Sequence, residues 1–435
     1  MHAHFFLSLF SLAICTLLTQ SASAGDWIRF RGNDGTAASS DKLASIEWGE
    51  GDDNIAWKAE LPGSGSSSPI VSGDRIYITC YSGYGVSPEQ PGSESKLARH
   101  LVCINRADGK VLWKSSIQNE ASEDRYQGFL MEHGFATSTP TTDGENIYCF
   151  FGKSGVVAFD RDGEKLWQKS VGSGSGSRRW GSAPSPLLYK DTLIINASDE
   201  SQTIYALNKS NGETVWKAEA GGLENSFNTP ILVKTGDTTE LVVAVPFEIW
   251  ALDADTGKLT WYTEAPLDNN VSPSVIEQDG VIYAIGGRSG GSIAVKAGGK
   301  GDVTKSHVLW TQSHSSYVPS PVFHDGHLFW VSDRGIAHCV DAKTGNLVYQ
   351  ERVTGITGSG GRAFYASIVK AGDNLLALNR SGATIVITPG SEYKQARVNQ
   401  IVGDDSMFNA TPALSDGQIV IRSDRFLYCI GKRTE

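Results

Sequence analysis

Short apolar stretches alternate with clusters of Gly, Asp, Asn and Ser along nearly the whole chain. Val, Ile, Tyr and Trp dominate the apolar stretches, which marks them as strands, and the mature chain carries no convincing amphipathic helix. Pro186-Leu-Leu-Tyr189 and Thr192-Leu-Ile-Ile-Asn196 flank a turn at Lys190-Asp191. Thr203-Ile-Tyr-Ala-Leu207 follows, then Thr214-Val-Trp-Lys217. Four short strands therefore make one unit, and the unit recurs. Its start is marked by a small or hydroxyl residue, then Pro, then an apolar strand. This occurs at Ser68-Pro69, Thr139-Pro140, Ser185-Pro186, Thr229-Pro230, Ser272-Pro273, Ser320-Pro321 and Thr411-Pro412. Ala366-Ser367 fills the remaining place without proline. Proline suits the first residue of a strand, where no ladder donor is lost.

Successive starts lie 71, 46, 44, 43, 48, 46 and 45 residues apart. The long first gap comes from two insertions, 82–99 and 118–136. Both are expected to rise on one side, as a lid. Four strands per period of about 40–50 residues describe propeller blades. The reading is all-β: an eight-bladed β-propeller of four-stranded antiparallel blades.

A second repeated signature lies between the third and fourth strands. Ala251-Leu-Asp-Ala-Asp-Thr-Gly257-Lys-Leu-Thr-Trp261 reads as strand, tight turn, strand. Asp253 opens the turn by bonding backbone two residues on, and Gly257 supplies positive φ without a Cβ penalty. Cys103 to Trp113 and Ala206 to Trp216 have the same spacing, Cys339 to Tyr349 puts Tyr in the Trp place, and Ala158 to Trp167 is one residue shorter. Trp57, Trp113, Trp167, Trp216, Trp261 and Trp310 are expected to slide between blades as structural anchors. Each would bury roughly 150–250 Å², up to several kcal/mol per contact.

The two ends fit each other. The last unit stops after Leu427-Tyr-Cys-Ile430, a third strand with no fourth, and a spare strand precedes the first unit. That strand contains Trp57-Lys-Ala-Glu60, which repeats the fourth-strand sequence Trp216-Lys-Ala-Glu219. The N-terminal strand is therefore expected to complete the last blade and remove two pairing edges. This divides the chain into a signal peptide (1–24), a lead segment (25–53) packed across the outside of the fold, and a propeller (54–435).

Charge and the first residues narrow the function. A formal net charge of −10 over 435 residues argues against nucleic acid and against an anionic membrane surface. Phe5 to Leu18 is apolar but short for a span, and Ala22-Ser-Ala24 resembles a cleavage site, so export to the periplasm or outside is expected. The stretch ahead of it carries no Lys or Arg, a departure from the usual signal pattern. No later run is long enough for a transmembrane helix. Cys80, Cys103, Cys149, Cys339 and Cys429 read as buried small apolar residues, with a Cys80–Cys103 bridge as the alternative.

Here the chain resembles the pyrroloquinoline quinone (PQQ) type of propeller repeat, through the motif met in full by Ala251–Trp261. The resemblance spans residues 54–435. It is specific for fold and weak for function, since that family holds quinoprotein alcohol dehydrogenases and a lipoprotein of outer-membrane-protein assembly. Asp26-Trp-x-x-Phe-Arg-Gly-x-x-Gly35 and His133-Gly-Phe-Ala-Thr-Ser-Thr-Pro140 also resemble secreted bacterial propellers without assigned activity. The quinoprotein reading implies PQQ and a Ca²⁺ held by acidic and amide oxygens beside a Trp. Trp180 or Trp250 would be the plate, and Asp268, Asn269, Asn270, Asp404 and Asp405 the oxygens. The adjacent Cys-Cys pair found in many members is missing.

Links between blades and second-to-third strand loops share one face of a propeller. Link residues converge there on the central channel, which nominates His133, Arg179, Trp180, Asn228, Asn270, Tyr317, Arg362, Tyr365 and Asn409. Arg178, Asn225, Asn269, His314 and Asp405 stand in the same links. Asn, Arg and Tyr donors suit a small polar ligand or a protein segment. The sequence thus reads as a monomeric, exported binding or scaffold protein working through its funnel face, with no catalytic or metal-ligating residue assigned. The alternative is a PQQ- and Ca-dependent oxidoreductase.

Overall fold

Each of eight sheets is built from four antiparallel strands in meander order, and together they form an eight-bladed β-propeller. The computed structural model describes residues 25–43, 45–49, 54–119, 121–356 and 361–432. The apolar stretch read as a signal peptide lies outside them. Blade 1 comprises Ile70–Ser72, Arg75–Ser82, Ala98–Asn105 and Val111–Gln118. Blade 8 comprises Ala413–Ser415, Gln418–Arg422, Phe426–Ile430 and the N-terminal strand Ile55–Glu60, which pairs antiparallel with Phe426–Ile430. The ring is closed as the matching ends require.

The Trp motif explains how blades dock. Trp57 Nε1 donates to Arg106 O in the next blade at 2.8 Å, and Trp113, Trp167, Trp216 and Trp310 do the same to Arg161, Lys209, Ala254 and Ala342. Each acceptor follows the Asp or Asn that opens the turn. The turn glycine lies flat against the same ring. A Cβ on Gly257 would stand 2.3 Å from Trp216, and one on Gly109 2.6 Å from Trp57. Glycine is thus needed twice, for φ (+72° at Gly257) and for space. In all eight blades the pairing of the last two strands slips near this point. Such a bulge re-aims side chains, here turning Trp toward the neighbouring blade. Trp261 differs: it is fully buried, beside the extra strand Gly301–Asp302 that leaves blade 5 to join blade 4.

The hydroxyl signature has a physical reason as well. Ser68 N donates to Thr139 Oγ1 at 2.9 Å, Thr139 N to Ser185 Oγ, and so on through Thr229, Ser274, Ser320, Ser367 and Thr411. Innermost backbone donors, which have no ladder partner, are satisfied by a hydroxyl from the next blade. This belt corrects one sequence assignment. Blade 5 enters the belt through Ser274, two residues beyond Ser272 and directly after Pro273, and its innermost strand is Ile276–Gln278.

The lead segment crosses the hairpin side of the ring. Trp27 pairs with Val71 of blade 1, Ile28 O accepts from Thr142 of blade 2, and Ala38–Ser39 runs parallel to Lys370–Ala371 of blade 7. Arg31, buried between, donates to Pro321 O, and Phe30 reaches the channel. The five described cysteines are buried and free, so the Cys80–Cys103 bridge is not formed.

Candidate functional site

The two insertions of blades 1 and 2 pack on each other through Tyr84, Tyr126 and Phe135, with Tyr84 and Phe135 centroids 5.5 Å apart. The second one then crosses the funnel mouth. Its short helix Leu130–His133 is anchored on the far side: Asn409 Nδ2 donates to Glu132 O at 2.6 Å, and Glu132 pairs with Arg380 at 2.7 Å and Arg362 at 3.4 Å. Phe129, at its start, contacts Trp180 (4.6 Å), Tyr317 (5.8 Å) and Tyr365 (6.3 Å). This aromatic lid separates two spaces.

Below the lid is the channel, about 700 Å³, between Phe129 and Phe30. The hydroxyl belt, His133, Trp180, Phe227, Tyr365 and Asn409 line it. His133 Nδ1 lies 2.7 Å from Thr137 Oγ1, and burial lowers its pKa to about 4, so it stays neutral. Asn409 is held by Glu132 O and by Arg380 Nε at 3.0 Å.

Above the lid is an open cup of about 1160 Å³, lined by Phe129, Glu132, Arg178, Trp180, Asp268, Asn269, Asn270, Arg288, Ser289, Tyr317 and Arg362. Three guanidinium groups sit on aromatic rings: Arg288 over Tyr317 at 4.8 Å, Arg362 over Phe129 at 5.1 Å and Arg178 over Trp180 at 5.5 Å. Arg178 also donates to Asn269 Oδ1 at 3.1 Å. Asn270 is buried, and its Oδ1 has no partner among the described residues.

The nine nominated residues thus separate. Trp180, Asn270, Tyr317 and Arg362 meet in the cup, while His133, Tyr365 and Asn409 lie beneath the lid. Asn228 turns inward: its amide is spent on Ser226 Oγ, Ala244 O and Val271 O. Arg179 is exposed in left-handed backbone (φ 51°) and lines neither space. Asp405 pairs with Arg425 at 3.3 Å at the rim of blade 8. Sequence reasoning missed Phe129, Glu132 and Arg288. Arg288 lies in a second-to-third strand loop, a class of loop that the propeller rule places on this face.

A third, enclosed space lies under the insertion. Arg99–Glu123 (2.7 Å) and Lys153–Asp124 (3.1 Å) pair there, both buried. Asp199 and Glu200 line the same cavity without a cation of their own, and Asp199 Oδ2 and Glu200 Oε2 have no partner among the described residues. Burial pushes Glu200 up to about 8 and Asp199 to about 6.

The residues named for a quinone and Ca²⁺ do not fit those groups. Trp180 is already packed between Phe129 and Phe227, with ring centroids 4.6 and 5.4 Å away and the ring planes tilted by 34° and 32°. Trp250 lies in the third strand of blade 4, its Nε1 bonded to Glu248. Both Asp268 oxygens accept backbone N–H groups, from Asn269 and Ser289. Asp404 accepts from Ser406 and Tyr428. No cluster of three or more His, Cys, Asp or Glu suited to a metal occurs among the described residues.

Fold and docking motif define a PQQ-type repeat propeller. Residues 95–222 and 202–351 match the PQQ-repeat family model described as outer membrane protein assembly factor BamB, and the chain belongs to that family. It is 25% identical over 336 residues to the outer membrane protein assembly factor BamB of Yersinia pestis, covering 74% of this chain and 71% of that one. The namesake of Moranella endobia is 23% identical over 243 residues, 55% of this chain and 53% of that one. Among solved structures, BamB of Moraxella catarrhalis superposes with a TM-score of 0.59 at 13% identity, over 87% of this chain and 98% of that one. The quinohemoprotein alcohol dehydrogenase of Comamonas testosteroni gives 0.64 at 12% identity, over 95% and 82%. Likeness at that identity speaks for fold alone.

Proposed function

We propose that the protein is exported and works as a binding or scaffold protein, its funnel cup receiving a small polar ligand or a protein segment. The observation that carries this is the cup itself. Separate connections bring Arg178, Asn270, Arg288, Tyr317 and Arg362 to one open concavity, while the lid shuts the channel beneath. Connections held by a rigid ring are where binding residues concentrate. The leading apolar stretch and Ala22-Ser-Ala24 support export. A family described as an assembly factor supports a partner over a substrate. No helix of the described residues is long and apolar enough to cross a membrane.

Site-specific photocrosslinking in the source organism tests this reading. A crosslinker at Ser289, in the cup, is expected to give discrete adducts. One at Lys343, in a turn on the opposite face, is expected to give none. Equal labelling from both positions, or none from Ser289, would remove the cup as the working face.

A further inference from the structure

We infer that the cup is an oxyanion seat that holds the carboxylates of an acidic protein segment. The inference rests on the reading of the cup as the binding face and names what it binds. Three arginines arrive from three connections: Arg178 from the link between blades 2 and 3, Arg288 from a loop of blade 5, Arg362 from the link between blades 6 and 7. Each rests on a ring at 4.8–5.5 Å. A ring contact holds a guanidinium in place without consuming its N–H donors.

Those donors are largely free. Among the described residues, Arg288 forms no hydrogen bond or ion pair, and Arg178 bonds only the neutral amide of Asn269. Arg362 reaches Glu132 at 3.4 Å, but that carboxylate is held more closely by buried Arg380, at 2.7 Å. Asp268, the other acid in the cup, has both oxygens committed to backbone N–H groups. Asp333 stands in the adjoining hollow, which Arg288 lines together with Arg334. Its charge acts on Arg334, Arg288 and Arg362 and offsets part of theirs, without an ion pair to the cup arginines among the described residues. A locally cationic cup has thus been kept on a chain of net charge −10. Charges beyond about 10 Å are screened at physiological salt, so the local set decides what binds.

Guanidinium forks match the two oxygens of a carboxylate, and several at one site favour a multiply charged ligand. Shape favours a segment. The cup is open to solvent on its outer side, whereas pockets for small molecules enclose most of their ligand. The lid closes the floor, so a chain can lie across the cup without entering the channel.

The test uses the mature chain, residues 25–435, and fluorescence anisotropy of a labelled tri-glutamate peptide and its tri-glutamine counterpart. The glutamate peptide is expected to bind at least roughly tenfold more tightly and to weaken as salt rises from ~50 to ~300 mM. The Arg178→Gln/Arg288→Gln variant is expected to lose that preference with its melting temperature unchanged. The Lys190→Gln/Lys343→Gln variant, on the opposite face, is expected to keep it. Equal binding of the two peptides would overturn the acidic assignment and leave the cup as the binding face. Binding of neither would also overturn it, and the crosslinking experiment then judges the cup independently. A sulfated oligosaccharide that outcompetes the glutamate peptide, and is lost in the same arginine variant, would reassign the seat to a glycan.

Discussion

In the ring, one residue type at one position performs the same task in blade after blade. In the cup, no position is used twice. The belt takes a hydroxyl from seven successive blades, Thr139 through Thr411, and five Trp indoles donate to the same carbonyl of the following turn. The cup takes Arg178 from one link, Arg288 from one loop, Phe129 from one insertion. Repetition is what stability asks of a closed ring, since every blade faces the same neighbour. Recognition asks for a surface unlike any other on the molecule. The two regions therefore differ in what a substitution does.

The largest effect is expected from removing a docking anchor. Trp216→Ala empties a buried site and leaves Ala254 O without its donor, at a cost of about 3–5 kcal/mol by chemical denaturation. Next comes Gly257→Ala, whose methyl meets the Trp216 ring in left-handed backbone, for about 2–4 kcal/mol. Thr229→Val leaves Ser185 N unsatisfied and is expected to cost about 1–3 kcal/mol. An outcome near zero for either of the last two would remove repetition as the source of stability.

Glu200 stands between the two regions, buried like the ring but used once like the cup. Its folded pKa is raised to about 8, so the folded chain keeps a proton that the unfolded chain releases. Stability is then expected to fall as pH rises from the ordinary carboxylate range toward 8, with Asp199 adding to the loss toward 6. Glu200→Gln is expected to flatten that slope and to exceed the parent at pH ~8 by about 1–3 kcal/mol, with little difference near pH ~5. A parent whose stability rises across this interval would contradict the assignment. The smallest effect on stability belongs to Arg178→Gln/Arg288→Gln, within about 0.5 kcal/mol of the parent, because both side chains are exposed.

The same contrast sets what the sequence reveals. Blades, docking tryptophans and ring closure are legible because a period makes each residue a test of the others. Where the period is disturbed, as at Ser272-Pro273, proline misleads by two residues and the hydroxyl of Ser274 is the better guide. The cup is only half legible. Arg362, Tyr317, Trp180 and Asn270 follow from their places in links, but Asn228 from the same kind of place folds back onto backbone carbonyls. Phe129 offers no pattern, since an insertion docks by three-dimensional fit rather than by spacing. Arg288 was within reach, because second-to-third strand loops share the funnel face.

The most direct measurement is the tri-glutamate binding isotherm of Thr229→Val and Arg178→Gln/Arg288→Gln, recorded beside the parent under conditions where all three are folded. The account predicts that the belt variant binds within about twofold of the parent despite its lower stability, while the arginine variant, as stable as the parent, loses at least roughly tenfold. A belt variant that loses binding, or an arginine variant that keeps it, would contradict the division of labour between ring and cup.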